Sequence, residues 1–473
     1  MTGYTSLEDI PKIREELRTT FRSGVTKPLA YRRHQLLQVA RMVQENAEVF
    51  VDAIVADVGR PRHEVYFTEI GPTIERFIIC ANKLEEWTAP EDFEGVVPDW
   101  QKSWKPKVYK AAKGNVLIIA PWNYPLILSL QPLYGAISAG CTAVLKPSEI
   151  SANYAATLAR LAPKYLDQSA YRVVLGGVSE ITRVLELQWD YIFYTGNGKI
   201  GRIIAAAAAK HLTPATLELG GKSPVFIDDE FDVDLAAKRV LWGKINNAGQ
   251  ICVAPDYVLI SKHRQDAFVQ ALKKHYAEFY PDGALKSDSY GRIVNETHHA
   301  RLVNVLKGTK GTIVVGGKAE GREFEPTVVK DVKSGDSLLD EEIFGPILPI
   351  VPVENLTEAI NFLNERDHPL VIYAFSTNEQ TQQFIRENTT SGGLVFNDTF
   401  QQLAVNELPF GGVGESGYGR QVLRYSFDLF SYGRSSVEIP TAIEPMLAIR
   451  YPPYTKEHTD IMSASVKLKI PEA

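Results

Sequence analysis

The middle of the chain alternates short apolar runs with amphipathic stretches. The apolar runs are rich in β-branched residues and predict buried strands at Val116–Ile119, Thr142–Leu145, Val173–Leu175 and Tyr191–Tyr194. The stretches that separate them predict helices, one following Pro125 and others at Tyr154–Leu161, Glu180–Leu187 and Lys199–Lys210. Strands that alternate with helices of this length predict a parallel, doubly wound sheet.

A second unit with the same alternation begins after Thr213. Its predicted strands are Thr216–Leu219, Val225–Ile227, Ile313–Val315, Ile372–Phe375 and Leu394–Phe396. Its first predicted helices are Val233–Lys244 and Gln265–Phe279. Ahead of both units, Tyr31–Asp57 has apolar residues at helical spacing, whereas Asp92–Gly114 is rich in Pro, Trp and Lys with a weak strand pattern. We therefore expect an α/β protein with an excursion at Asp92–Gly114.

Composition narrows the class of protein. The 473 residues are 45% hydrophobic and carry a net charge of -6, which supports a large core and gives no reason to expect nucleic acid as a partner. The three cysteines, Cys80, Cys141 and Cys252, are widely spaced and form neither a disulfide framework nor a CxxC metal pair. The sequence shows no secretory signal, membrane span or C-terminal anchor. We therefore expect a soluble, cytoplasmic protein without a metal site.

Cys252 lies in a stretch of small and amide side chains, Asn246–Pro255, with Gly249 three residues before the thiol. Such a backbone can bring its own N–H groups close to a bound carbonyl. A free cysteine is most often a small buried hydrophobe, and that is the interpretation for Cys80 and Cys141. For Cys252 the local sequence leaves the buried and the reactive interpretation equally open, because no neighbour obviously lowers the thiol pKa.

Glu218 has three competing interpretations. It lies between two leucines at a predicted strand end, where partial desolvation would raise its pKa toward that of a general base. It could instead pair with Lys222. The segment Gly196–Gly201 also matches G-x-G-x-x-G between a strand and a helix, and this fingerprint expects a ribose-binding acid about 20 residues on, where Glu218 stands. Local sequence alone does not separate the three.

Other polar residues follow predicted strands at the edge where parallel sheets bind ligands. Asn123 could donate to an oxyanion or simply occupy a turn. Lys146 and Glu149 could reach ribose hydroxyls, or lie in a solvated loop with a helix cap at Ser148 or Ser151. Glu342 and Phe344 are two apart, so in an extended segment they would face one side and could hold a nicotinamide riboside; the alternative is an acidic turn.

Seven segments, taken together and in this order, resemble the aldehyde dehydrogenase superfamily, most closely its class 3 branch for fatty and aromatic aldehydes. They are PWNYP (Pro121–Pro125), LKPSE (Leu145–Glu149), LELGGKSP (Leu217–Pro224), GQICVAPDYVL (Gly249–Leu259), YGRIVN (Tyr290–Asn295), EEIFGPILP (Glu341–Pro349) and LPFGGVGESGYGR (Leu408–Arg420). The resemblance covers about residues 30 to 454.

The resemblance implies specific roles. Cys252 would be the nucleophile, Glu218 the general base, and Asn123 the oxyanion donor together with the Cys252 N–H. The residues implied to bind the cofactor are Lys146 and Glu149 (adenosine ribose), Glu342 and Phe344 (nicotinamide riboside), and Trp122, Gly196, Asn197, Gly201 and Leu219. The ribose acid is then Glu149, and the glycine loop flanks the pyrophosphate loosely. The cofactor would be NAD, with NADP as an alternative, because an acid near the 2′ position repels a 2′-phosphate.

The resemblance also implies the domain organisation. A Rossmann-like dinucleotide-binding domain would comprise residues 1–91 and 108–212, and an α/β catalytic domain residues 213–405. A small β oligomerisation arm would comprise residues 92–107 and 425–473, which implies a homodimer. The chain departs from the family at Asn197, where Ser is usual, at Ile251, where Thr is usual, and in Arg420–Arg434, where His-containing segments are usual.

The function expected from this resemblance is oxidation of aldehydes, medium- or long-chain aliphatic or aromatic, through a covalent cysteine intermediate. We expect the positive nicotinamide to supply part of the lowering that a thiol of pKa ~8.5 needs. Two alternatives belong to other classes. A cofactor-independent cysteine esterase would release acid from an ester without nucleotide, and a non-catalytic binding protein could share the fold.

Overall fold

The computed structural model describes residues 3–472, apart from the side chain of Ser465. The α-helices are α1 (Asp9–Ser23), α2 (Leu29–Glu45), α3 (Ala47–Val58), α4 (Arg62–Val65), α5 (Gly71–Thr88), α6 (Asp99–Lys102), α7 (Pro125–Ala139), α8 (Ala152–Tyr165), α9 (Val178–Leu185), α10 (Gly198–Ala209), α11 (Val233–Ile245), α12 (Lys262–Phe279), α13 (Glu296–Gly308), α14 (Leu356–Asn364), α15 (Glu379–Asn388), α16 (Arg424–Phe430), α17 (Glu444–Leu447) and α18 (Lys456–Met462).

The strands alternate with these helices for most of the chain. They are β1 (Glu91–Asp92), β2 (Lys107–Ala112), β3 (Asn115–Ile119), β4 (Thr142–Lys146), β5 (Tyr171–Val173), β6 (Tyr191–Thr195), β7 (Ala215–Glu218), β8 (Pro224–Ile227), β9 (Tyr257–Ser261), β10 (Thr312–Val315), β11 (Ala319–Glu320), β12 (Glu323–Phe324), β13 (Thr327–Lys330), β14 (Ile347–Val353), β15 (Val371–Phe375), β16 (Gly393–Phe396), β17 (Gly417–Tyr418) and β18 (Ser431–Ser436).

A six-stranded sheet has the order β17-β7-β6-β3-β4-β5. Its strands are parallel except β17, which runs antiparallel to β7. Every residue of β3, β4 and β6 is buried, as expected when βαβ connections cover both faces of a sheet with helices. The carboxyl ends of its strands therefore meet along one edge, which brings the segments after Ile119, Lys146 and Thr195 together.

A seven-stranded sheet has the order β10-β13-β14-β9-β8-β15-β16. It is parallel apart from β10, which pairs antiparallel with β13. Its central strands β8, β9 and β15 are buried at every position and contribute to the largest apolar core of the molecule. The fold is thus the parallel α/β class predicted from the alternation, with a Rossmann-like sheet and a second α/β sheet.

Two local predictions needed correction. The strand predicted at Val173–Leu175 is Tyr171–Val173, because the Leu175 backbone is engaged by Thr5: the Thr5 N–H donates to the Leu175 carbonyl at 2.9 Å. The helical stretch Tyr31–Asp57 is divided into α2 and α3 at Asn46, whose Nδ2 donates to the Met42 carbonyl at 2.9 Å. In both places a polar contact to the backbone overrides the apolar spacing. The prediction that Thr216–Leu219 is the first strand of the second unit is also wrong, because this strand is β7 (Ala215–Glu218) and pairs with β6 in the six-stranded sheet.

Contacts divide the chain into two compact units. The larger extends from the start of the described chain to Trp87 and from Ala112 to Tyr432, and it holds both large sheets. The smaller comprises Thr88–Ala111 and the described residues from Gly433 onward. The three domain boundaries given above stay predictions. Among residues 3–472, no helix has both the length and the apolar character needed to cross a bilayer.

Candidate active site

The segment before Cys252 is a strained turn. After α11, Asn246–Gly249 forms a turn of left-handed backbone in which Asn247, Ala248 and Gly249 have φ of 46°, 50° and 73°. A Cβ on Gly249 would lie 2.2 Å from the Gly345 carbonyl oxygen, so only glycine fits there. Consecutive residues at positive φ are costly and persist where the surroundings hold them, often at functional sites. The Cys252 side chain that follows is partly exposed, whereas Cys80 and Cys141 are buried.

Gln250 holds this turn in place. Its side-chain amide is buried, and Nε2 donates to the Asn247 and Arg292 carbonyls at 2.9 Å each. Its Oε1 accepts from the Val294 N–H at 2.9 Å. The amide thus crosslinks the turn to the Tyr290–Asn295 segment. Sequence reasoning missed this residue, since a glutamine beside a glycine carries no local signal of such a role.

Asn123 follows β3 at the carboxyl edge of the six-stranded sheet and is 3% exposed. Its Nδ2 donates to the Gln250 carbonyl at 3.1 Å, two residues before Cys252. In return, the Asn247 Nδ2 donates to the Asn123 carbonyl at 3.2 Å. The amide nitrogen carries two hydrogens, and Gln250 takes one of them. These bonds tie the Asn123 amide to the strained turn that carries the thiol.

A buried ion pair supports the Asn123 segment. Arg60 and Glu69 pair with both side chains fully buried, and the Arg60 guanidinium lies 4.3 Å from the centre of the Tyr124 ring. Glu69 Oε2 accepts from the N–H groups of Leu126 and Ile127, at 2.8 and 3.1 Å. A carboxylate here satisfies orphan donors in the first turn of α7 and opposes the positive end of the helix dipole. The start of α7 is thereby fixed.

Glu218 is the last residue of β7 and is 2% exposed. Gln421 Nε2 donates to its Oε2 at 3.2 Å, and its Oε1 is buried without a protein partner. Burial raises the pKa of Glu218 to about 8, and the Gln421 hydrogen bond opposes that shift. The alternative pairing with Lys222 is wrong, because Lys222 pairs with Asp256. A buried carboxyl of raised pKa, open on one oxygen, is suited to proton transfer.

The environment of Cys252 disfavours the thiolate. Burial raises the pKa of the Cys252 thiol, and the charges of Glu218 and then Glu342 raise it further. These two carboxyls therefore lie close enough to the sulfur to act on it. The backbone N–H groups of Cys252 and Val253 oppose this rise in pKa, and the lowering expected from a bound nicotinamide stays a prediction.

Lys146 and Glu149 follow β4. Lys146 is buried, its Nζ donates to the Pro147 carbonyl at 2.8 Å, and it lies 3.5 Å from Glu149 Oε2. Burial lowers the pKa of Lys146, against the attraction of Glu149. The Glu149 carboxylate is 40% exposed, so it can contact a ligand. Both side chains lie at the ligand-binding edge predicted for them.

The helix cap expected from Ser148 or Ser151 is supplied by another residue. Ser151 is the N-cap position of α8, but its side chain makes no capping bond. Instead Asp57 accepts from the Asn153 N–H at 3.0 Å and from the Tyr154 N–H at 2.8 Å. The carboxylate comes from the end of α3, which is distant in sequence, so local spacing gives no sign of it.

The glycine segment before α10 packs the helix on the sheet. Asn197 caps α10, with Oδ1 accepting from the Ile200 N–H at 2.9 Å. A Cβ on Gly201 would lie 2.9 Å from the Leu219 side chain, so this glycine permits close helix–strand packing, the role of the third glycine in the dinucleotide fingerprint. Gly196 donates its N–H to the Glu218 carbonyl at 3.0 Å. The amide of Asn197 thus has a structural partner.

Glu342 and Phe344 do not share a face in the predicted way. Phe344 has φ of 47°, so the segment is a turn and the extended interpretation is wrong. The Glu342 carboxyl lies against Gly220, where a Cβ would be 2.1 Å from Oε2, and burial raises its pKa to about 8. The Phe344 ring meets Trp122 edge to face, with centroids 5.5 Å apart. The turn still lies beside Cys252, because the Glu342 charge acts on the thiol and the Gly345 carbonyl faces Gly249.

A dinucleotide fits the polar atoms left over at this edge. Thr195 Oγ1, Glu218 Oε1 and Glu342 Oε1 are buried without a protein partner, and buried polar groups normally have one. Thr195 and Glu218 stand side by side at the ends of β6 and β7. These acceptors suit ribose hydroxyls and a polar ring, together with Lys146 and Glu149, which follow β4, the second strand from β6. Within residues 3–472 no group of His, Cys, Asp or Glu could hold a metal ion.

Known proteins with similar sequences belong to the family that the sequence motifs resemble. The pattern of the aldehyde dehydrogenase family matches residues 3–435. The chain is 42% identical over 447 residues, 94% of this chain and 98% of the relative, to a dimeric NADP-preferring aldehyde dehydrogenase of Canis lupus familiaris. It is 44% identical to aldehyde dehydrogenase family 3 member A2 of Rattus norvegicus, covering 93% of this chain and 90% of the relative.

Solved structures agree on the fold. The substrate-bound AldH of Staphylococcus aureus matches with a TM-score of 0.92 and 38% identity, covering 96% of this chain and 99% of the other. Betaine aldehyde dehydrogenase of the same organism, in complex with NAD+, matches with a TM-score of 0.84 and 25% identity, covering 93% and 90%. The arrangement of sheets described above is therefore that of these enzymes.

Proposed function

This chain belongs to the aldehyde dehydrogenase family and is similar to its class 3 branch, and on that premise we propose that Cys252 is the covalent nucleophile of an NAD(P)-dependent aldehyde oxidation. The observation that carries the proposal is the convergence around one turn of the Cys252 thiol, the Asn123 amide bonded to Gln250, and the buried Glu218 carboxyl. A nucleophile, an oxyanion donor and a base are the groups that acyl transfer needs.

The first step is addition of the Cys252 thiolate to the aldehyde carbon. The carbonyl oxygen becomes an oxyanion, which the Asn123 Nδ2–H and the Cys252 N–H stabilise, each by about 3 kcal/mol in typical cases. The support of Asn123 by the Gln250 carbonyl and the fixed start of α7 means that this donor does not have to reorganise during the step.

Oxidation and hydrolysis follow on the same sulfur. NAD(P), when bound, supplies the acceptor for the hydride that leaves the carbon held on Cys252. The oxyanion then reforms a carbonyl, which leaves an acyl thioester on Sγ. Glu218 takes a proton from water, whose oxygen adds to the thioester carbon; the carboxylic acid departs and Cys252 returns as thiolate. A carboxyl with a pKa of about 8 is close to the working pH, as base catalysis favours.

The preference between NAD and NADP rests on Glu149. Its half-exposed carboxylate lies 3.5 Å from Lys146 Nζ, so the lysine charge that could pair with a 2′-phosphate is already engaged. This supports a preference for NAD. The name of the dog relative states the opposite preference for that enzyme, so the ratio has to be measured on this chain.

The substrates we propose are medium- or long-chain aliphatic and aromatic aldehydes, the class that the sequence motifs imply by their resemblance to the class 3 branch. We expect kcat/KM to rise from acetaldehyde to longer aliphatic aldehydes and benzaldehyde, because each substrate methylene that becomes buried on binding contributes about 0.8 kcal/mol. The measurement is nucleotide reduction across that panel, with NAD and with NADP.

Two outcomes would contradict the proposal, one from this panel and one from the panel combined with an ester assay. Equal kcat/KM for acetaldehyde and the longer substrates would remove the substrate class. Hydrolysis of a nitrophenyl ester that is fast without nucleotide, together with no nucleotide reduction by any aldehyde, would identify a cysteine esterase instead.

A cytoplasmic homodimer is the further part of the proposal. In the smaller unit β18 is an edge of the three-stranded sheet β1-β2-β18, and edge strands pair readily with a second chain. Exposed apolar side chains in this unit include Val96 (77%), Trp100 (53%) and Val437 (55%), a composition that suits an interface. We expect the full chain to sediment as a dimer, and a concentration-independent monomer would reject the assembly.

A further inference from the structure

A chain of buried side chains leads from α5 to the general base. Arg76 Nη1 donates to Gln131 Oε1 at 2.5 Å, Gln131 Nε2 donates to Gln421 Oε1 at 3.0 Å, and Gln421 Nε2 donates to Glu218 Oε2 at 3.2 Å. Arg76, Gln131 and Gln421 are 6%, 5% and 1% exposed. These residues come from α5, α7 and the Arg420–Arg434 segment, so only the tertiary structure brings them together.

Arg76 sets the direction in which hydrogen bonds are donated along this series of side chains. A guanidinium has five N–H donors and no acceptor, and it stays protonated, so Gln131 must present its oxygen to Arg76. The Gln131 NH₂ group then faces Gln421 and donates to the oxygen of its side-chain amide. Gln421 is left with its NH₂ group toward Glu218. Reversing either amide would place two donors or two acceptors against each other in a buried site, which is costly.

Arg76 is itself held at its other nitrogens. Its Nε donates to Asn406 Oδ1 at 3.0 Å, and its Nη2 donates to the Leu403 carbonyl at 2.7 Å. The orienting charge therefore has a fixed position with a partner on each nitrogen.

The backbone of Gln421 is fixed as firmly as its side chain. Gln421 and Phe410 exchange N–H to carbonyl bonds in an isolated bridge, at 2.7 and 3.0 Å. The next two residues, Val422 and Leu423, have φ of 89° and 45°, which is unfavourable for any non-glycine and most of all for a β-branched valine. Such strain persists only where the surroundings impose it, and here it follows directly on the residue that contacts Glu218.

We propose that Gln421 is a positioning residue for Glu218, and that Gln131 and Arg76 set the orientation of its amide so that it always offers a donor to the general base. This inference rests on the proposed role of Glu218 in thioester hydrolysis. The bond holds Oε2, and Oε1 is buried without a protein partner, so Oε1 is the oxygen left to accept from the attacking water. A donor also favours the ionised carboxylate, the form that acts as base.

The groups around Glu218 make the expected sign clear. The titratable groups placed near it are Cys252 on the adjacent turn and Glu342, whose carboxyl lies against Gly220; Arg76 stands at the far end of the chain of amides. Burial raises the pKa of Glu218, and the Gln421 bond lowers it. Loss of that donor must therefore raise the pKa again, so hydrolysis will need a higher pH.

The test measures hydrolysis of the acyl-enzyme against pH in single turnovers of the holoenzyme. In Gln421→Met, which keeps the length of the side chain without its donor, we expect the ascending limb to move up by about one to two pH units. The rate of the nucleotide-reduction burst and its dependence on aldehyde concentration should stay close to those of the parent, because neither uses the base. Gln35→Met is the matched control. Gln35 is also buried, but its side-chain oxygen accepts from the Asp167 N–H, away from Glu218.

A second variant reverses the direction of hydrogen-bond donation toward Glu218 without removing the Gln421 amide. In Gln131→Glu the new carboxylate pairs with Arg76 and can only accept, so Gln421 must turn its NH₂ group toward position 131 and its oxygen toward Glu218. We expect the limb to move up at least as far as in Gln421→Met, although Gln131 does not touch Glu218. Gln131→Met, which removes the orienting donor without adding a charge, should move it in the same direction by a smaller amount.

The outcomes separate the inference from its premise. A profile of Gln421→Met or Gln131→Glu that coincides with the parent profile would overturn the positioning role. If Glu218→Gln leaves hydrolysis unchanged, the premise fails instead. A shift in Gln131→Glu without one in Gln131→Met would indicate simple charge repulsion and would also overturn the orientation argument. Thermal unfolding confirms that each variant is folded, and the two positions allow the test to proceed if one variant is not.

Discussion

Replacing Cys252 with alanine is expected to abolish aldehyde-dependent nucleotide reduction, with a fall in kcat of about 10⁴-fold or more. No other cysteine can substitute, because Cys80 and Cys141 are buried and Cys252 alone of the three is partly exposed. The loss should appear already in the first turnover, since the thioester that carries the oxidised carbon cannot form. The variant should still bind the nucleotide, which can be measured by the quenching of protein fluorescence.

The matched controls are Cys80→Ala and Cys141→Ala. Both remove a buried thiol and can lower stability by leaving a small cavity, but neither touches the turn at Asn246–Gly249, so turnover of the folded protein should be retained. Reduction of nucleotide by Cys252→Ala at the parent rate would sink the covalent mechanism altogether. Loss of activity in all three variants alike would point to a folding defect instead.

Replacing Glu218 with glutamine is expected to stop the reaction one step later. The burst of nucleotide reduction should persist, while hydrolysis of the acyl-enzyme slows by about 10²- to 10⁴-fold, the usual contribution of a general base. In the parent, hydrolysis should rise with pH and level off above the Glu218 pKa of about 8, because the ionised carboxylate is the base. In the variant that rise should disappear.

Glutamine is a conservative replacement at this position. It keeps the volume of the side chain and can still accept from Gln421 Nε2, so the buried chain of amides is preserved. Glu186→Gln, which removes a surface carboxylate paired with Arg183, serves as the control for charge alone. A burst that vanishes together with hydrolysis would show that Glu218 acts before the thioester forms, for example on the thiol itself, and would require a different assignment.

The pattern of apolar and polar residues was sufficient to predict the α/β class. Strands such as Val116–Ile119 and Tyr191–Tyr194 are continuous apolar runs because both faces of a parallel sheet are covered, and that signal is local. The candidate reactive residues were also predicted from the sequence, because they lie in short motifs whose order resembles that of the family. The order of the motifs favours Glu218 as a general base over Glu218 as a ribose ligand, and that role stays a prediction.

The same local reasoning was insufficient where a side chain finds its partner far along the chain. Asp57 caps α8 in place of the expected serines, Phe344 adopts a positive φ, and Gln250 crosslinks the turn before the thiol. Each depends on contacts between segments that no spacing rule relates.

By itself the sequence determined the alternation of strands and helices and the identity of Cys252, Glu218 and Asn123 as the candidate reactive groups, since both are written in short stretches of neighbouring residues. Only the tertiary structure decided the environment of those groups: the burial that raises the pKa of Glu218 and the donor chain from Arg76 that opposes it. The physical reason is that desolvation and hydrogen-bond direction depend on what surrounds a side chain, and those surroundings come from helices and segments far apart in the chain.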